Sequence, residues 1–100
     1  MRAFNDPQEA VWFLAAALDN DDLDGLAAAS RQPLPAEWEL KRLRERHAAT
    51  PLPQLYAGRE FPQHGNAFKL GGHDRELGHI HVDFVRAESG WELERIWMCR

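Results

Sequence analysis

The sequence predicts an α+β domain in which two or three N-terminal helices pack on a curved antiparallel sheet of three to four strands. Three observations carry this expectation. The N-terminal half combines helix-start signals with apolar residues at helical spacing. The C-terminal part holds runs with a period of two, and a segment rich in Pro and Gly separates the regions. One hundred residues without repeats or low-complexity tracts make a single domain over 1–100.

Asp6-Pro7-Gln8-Glu9 reads as a helix start: Asp at the N-cap, Pro at the first helical position, Glu three residues after the cap. Val11, Leu14, Ala15 and Leu18 then share one stripe, with Phe13 and Ala17 beside it, until Asp19-Asn20. DDLDGLAAAS, residues 21–30, reads as a second short helix whose acidic start suits its macrodipole. A third helix opens at Pro35 and runs to Ala49, where Thr50-Pro51 stops it. Trp38, Leu40, Leu43 and His47 are its expected inner residues. Lys41, Arg42, Arg44 and Arg46 interleave with glutamates, which describes a solvated face. From Pro51, PLPQLYAGREFPQHG reads as loop with one short edge strand at 54–57. Strands follow at 66–70, 77–86 and 91–99.

The last two strands form a hairpin. A loop of Glu88, Ser89 and Gly90 is favoured, because a two-residue Glu-Ser loop asks for positive φ at both residues. Val85 then faces Leu93, Asp83 faces Arg95, His81 faces Trp97 and His79 faces Cys99. One face gathers Trp91, Leu93 and Trp97 with His79, His81, Asp83 and Arg95. Such a surface, apolar with a few convergent polar groups, is expected to line a small cavity under the first and third helices. The other face carries Ile80, Val82, Phe84, Ile96 and Met98. Left uncovered it would be a large apolar patch, so a homodimer through it is expected.

The capped opening helices, DPQEAVWFLAAALDNDDLDGLAAA, and the closing hairpin, HIHVDFVRAESGWELERIWMCR, resemble the nuclear transport factor 2-like superfamily. That superfamily includes SnoaL-like polyketide cyclases and ketosteroid isomerases. The resemblance implies helices on the concave side of the sheet, a cavity between them, and dimerisation through the convex side. It fixes no catalytic residue by position; His79, His81 and Asp83 occupy a strand that often lines the cavity.

A net charge of −4 argues against a nucleic-acid partner. Cys99 is the lone cysteine, which fits a reducing compartment, and no apolar run approaches membrane-spanning length. A cytoplasmic protein is expected. Two classes of function stay open. One is a domain for dimerisation or for binding a small hydrophobic or aromatic ligand, with Trp38, His79, Arg95 and Trp97 as contacts. The other is a cofactor-free lyase or isomerase in which His81 carries the proton and Asp83, held by Arg95, orients it. A metal on His79 and His81, with Cys99 as third ligand and His73 or His64 as fourth, is a third and weaker reading; no metal or cofactor is expected.

Overall fold

The computed structural model describes residues 2–57, 63–71, 75 and 78–98, with residues 63 and 64 given by backbone alone. Helix α1 spans Pro7–Asp19, α2 Leu23–Ala29, α3 Glu37–Ala49 and α4 Leu52–Leu55. Strands β1 (Gln63–His64), β2 (Ala67–Gly71), β3 (Ile80–Ala87) and β4 (Gly90–Met98) follow as an antiparallel meander in the order β1-β2-β3-β4. Helices followed by an antiparallel sheet are the α+β class that the sequence predicts.

The start of α1 is built as its residues dictate. Asp6 accepts the Glu9 amide at 2.8 Å, and Glu9 reaches back to the Asn5 amide at 3.1 Å, so amide donors with no helical partner are satisfied. Ala10, Val11, Leu14, Ala15, Ala17 and Leu18 form its buried face. The turn into α2 passes through Asp21 at φ 52°, a conformation Asp tolerates better than most residues, and Arg44 of α3 pairs with the Asp21 carboxylate. Leu40, Leu43 and His47 are buried on α3, but Trp38 is 56% exposed and leaves the expected inner set. Its direction explains this: Trp38 lies ~200° around the helix from Leu40.

One correction concerns residues 54–57, expected as an edge strand. The segment begins instead with a helical turn, α4, in which the Gln54 and Leu55 amides both donate to the Pro51 carbonyl at 2.9 Å. Pro53 falls in the first turn, where a missing N–H costs nothing. The turn buries Leu52, Leu55 and Tyr56.

The closing hairpin bears out part of the expected register and corrects the rest. Asp83 pairs with Arg95 and His81 with Trp97. The register then shifts by one residue, so that Phe84 pairs with Leu93, Val85 with Glu92, Arg86 with Trp91 and Ala87 with Gly90. Glu94 is the extra residue of a β-bulge, and the loop contains Glu88 and Ser89 alone. Neither loop residue has positive φ; Gly90 takes it, at 129°. A Cβ at Gly90 would also collide with the Phe4 carbonyl oxygen, so glycine is needed twice over.

The bulge decides the faces. Trp91 and Leu93 join Ile80, Val82, Phe84 and Ile96 in one core with Val11, Leu14, Leu18, Leu40 and Leu43 from the helices, and Met98 packs at its edge. The face expected to bind a second copy is therefore the core face, already covered by helices. His81, Asp83, Arg95 and Trp97 lie on the opposite side of the sheet, so the cavity expected between them and the helices is corrected as well. Trp91 and Leu93 leave that set because one inserted residue turns every side chain beyond it to the other face.

The outer edge of β4 is closed by chain from the N-terminal half. Phe4 and Trp91 exchange two backbone hydrogen bonds of 2.7 Å, and the Arg31 and Gln32 amides donate to the Leu93 and Glu94 carbonyls at 2.9 Å. Ser30 pairs in parallel with Leu93. Covering an edge in this way removes a template for unwanted strand pairing. Because Phe84 is a core residue, we expect Phe84→Ala to lower the urea unfolding free energy by about 3–5 kcal/mol. A variant that stayed as stable as the parent would return this side chain to an outer surface.

Candidate functional site

Two regions compete for a functional reading. The first is the outer sheet face that carries the residues expected to act. His81 and Trp97 stack with ring centroids 4.1 Å apart and planes at 12°. The Arg95 guanidinium lies 4.4 Å from the Trp97 ring centroid on β4. Asp83 is buried, and its Oδ2 accepts the Trp97 indole N–H at 2.7 Å and the Arg95 Nε–H at 3.3 Å. Its Oδ1 is buried without a hydrogen-bond partner among the described residues. The structure thus brings together His81, Asp83, Arg95 and Trp97, leaves His79 exposed just before β3, and keeps Trp38 out on α3.

This cluster reads as a packing device. Asp83 is committed to the two groups that fix the Trp97 ring, and His81 is covered by that ring. A buried carboxylate in contact with an indole donor and an arginine holds side chains in place. An open polar hollow of about 410 Å³ lies beside it, at Gln32, Pro33 and the Arg95–Trp97 stretch. Among the described residues no three His, Cys, Asp or Glu side chains converge as a metal would require. Cys99 and His73 lie outside the described residues, as does the side chain of His64.

The second region lies wholly within the helices. A groove of about 490 Å³ runs between α1, the end of α3 and α4. Its floor on α1 follows one helical lane: Trp12, Ala15, Ala16 and Asp19 stand at positions i, i+3, i+4 and i+7. The alanines are low enough to leave a channel between an indole at one end and a carboxylate at the other. Pro51, Pro53 and Gln54 form the opposite wall. Trp12 is 59% exposed, about as much as Trp38 on α3, but unlike Trp38 it lines the groove.

His47 forms the base of this groove, and its surroundings assign its protonation. Its Nδ1 accepts the Leu52 amide N–H at 3.0 Å, so Nε2 carries the proton and donates to Asp19 Oδ1 at 2.8 Å. The ring is neutral in this arrangement and ties together the ends of α1, α3 and α4. With both nitrogens engaged, His47 is a poor proton shuttle but a firm anchor for the Asp19 carboxylate. The sequence alone places His47 among the inner residues of α3, where it is buried, and does not single out Trp12 or Asp19. The signal that would have found them is the Trp-x-x-Ala-Ala-x-x-Asp lane at the edge of the apolar stripe of α1, which it shares at Ala15.

Comparison with protein-family models, with curated proteins and with solved structures gave no match. The functional reading therefore rests on the geometry of the site. The first check on that geometry is His47. We expect His47→Ala to cost about 1–3 kcal/mol, because the buried Leu52 amide loses its acceptor. Asp19→Asn should cost less than about 1 kcal/mol, since the amide oxygen can still accept from Nε2 and the pair is largely exposed on the acid side. Chemical denaturation of both variants tests this, and equal losses would contradict the assigned roles.

Proposed function

We propose that the protein is a non-catalytic binding domain for a small, largely apolar organic ligand held in the α1–α3–α4 groove. The observation that carries this reading is the exposed Trp12 indole facing a channel floored by alanine and walled by proline. Pockets for small molecules combine an apolar lining with few polar groups, and about 490 Å³ falls in their usual size range. Aromatic side chains give large contact area at low entropic cost, which suits Trp12 to the role of contact residue. The order of helices and antiparallel strands is also consistent with a nuclear transport factor 2-like domain, but the ligand site proposed here is helical and does not use the sheet.

An acid–base enzyme built on His81 and Asp83 finds less support. It needs a reacting group to approach both side chains, and the Trp97 ring lies against His81 while the Asp83 carboxylate is buried beneath its own donors. The test is a titration with 4-phenyl-1-butanol followed by two-dimensional amide and indole NMR. The expected shifts centre on the Trp12 indole, Ala15, Ala16 and Gln54, and they vanish in Trp12→Ala. Shifts that centre on Arg95 and Trp97, or no saturable shift at millimolar probe, would overturn the proposal.

A further inference from the structure

We infer that the ligand of this groove is an organic cation: an ammonium group carried on an apolar or aromatic body roughly 7–10 Å long. The inference rests on the groove being a binding site and adds the charge and length of what it binds. The length follows from the α1 lane. Trp12 and Asp19 are seven residues apart on one helix face, which separates them by ~10 Å along the axis. A ligand that meets the indole with its body and the carboxylate with its head must span that distance over Ala15 and Ala16.

The charge follows from the Asp19 end. Asp19 Oδ1 is occupied by the His47 Nε2–H, yet the side chain remains 67% exposed, so its other oxygen stays open to a donor from the groove. His47 does not cancel the carboxylate charge, because charging the ring would require a proton on the nitrogen that accepts the Leu52 amide. The last turn of α1 has no basic residue, and the negative end of the helix dipole adds to the field there. Two cations of α3 have contacts away from Asp19. Arg44 pairs with Asp21, and the Arg46 guanidinium lies beside Gly78. The groove therefore presents an apolar track that ends in an anion, one of whose oxygens has no donor among the described residues. A neutral ligand would leave that acceptor to water, and an anionic one would be repelled.

Three probes of nearly equal size separate the possibilities: 4-phenylbutylamine, 4-phenyl-1-butanol and 4-phenylbutyrate, each titrated into the full chain with the Trp12 indole resonance as reporter. The amine is expected to bind about fivefold or more tightly than the alcohol, the order supplied by one partly exposed ion pair, and the anion more weakly than both. In Asp19→Asn the amine and the alcohol should converge, and raised salt should narrow their ratio in the parent. A dipeptide with the same two groups, acetyl-Phe-Lys-amide, distinguishes sources. Tighter binding of the dipeptide points to a protein side chain, and tighter binding of 4-phenylbutylamine to a free amine; either supports the inference if Asp19→Asn weakens it. Equal binding of amine and alcohol to the parent would overturn the charge assignment and leave the groove intact. Failure of all probes to move the Trp12 resonance would overturn the groove itself.

Discussion

The insertion of Glu94 into β4 is the constraint on which the rest of the structure depends. Apolar residues on β4 stand at 91 and 93, then at 96 and 98, so a regular strand would send the two pairs to opposite faces. One extra residue between Leu93 and Arg95 reconciles them. It turns Trp91 and Leu93 to the side already held by Ile80, Val82, Phe84 and Ile96, and a single core results. Each large side chain so buried contributes roughly 1.5–3 kcal/mol, against a net cost of about 0.5–1.5 kcal/mol for a disturbed ladder hydrogen bond. Burial wins, and the helices have one face to cover.

The same bulge creates the outer cluster. Beyond it the register returns Arg95 to Asp83 and Trp97 to His81, so charge pairing and ring stacking are satisfied on the side away from the helices. This cluster braces the strand pair from the outer side. Its residues carry reactive chemistry by type, yet Asp83 is bonded to Arg95 and Trp97, and the Trp97 ring lies against His81. The helical groove differs in that its indole and one oxygen of its carboxylate face outward. Availability, more than residue type, separates a binding site from a structural contact.

Much of the fold was legible because local signals and burial agree. The Asp6-Pro7-Gln8-Glu9 cap, the Leu14–Leu18 stripe and the pairing of Asp83 with Arg95 each follow from short-range rules that the tertiary structure does not override. The faces of the sheet were harder. Asp83 opposite Arg95 is correct in the structure, but extending that register to the loop assumed an uninterrupted ladder. The three-residue gap from Leu93 to Ile96 marks the bulge, and it was legible in the sequence. Helix α4 was masked by its prolines, which discourage a helix interior but suit a first turn. The groove was less accessible to sequence reasoning, since it needs α4 folded against α1 before Trp12 and Asp19 share a cavity with Pro51 and Pro53.

The register of the hairpin decides which side chains reach the core face. Cross-strand nuclear Overhauser effects between backbone protons of β3 and β4 measure it directly. Asp83 is expected opposite Arg95 while Phe84 is opposite Leu93 and Arg86 opposite Trp91, with Glu94 unpaired between them. Contacts that place Val85 opposite Leu93 and Ala87 opposite Trp91 would mean an unbroken ladder. They would return Trp91 and Leu93 to the face of His81 and Asp83, and the division between a helix-covered core face and an outer polar face would fail.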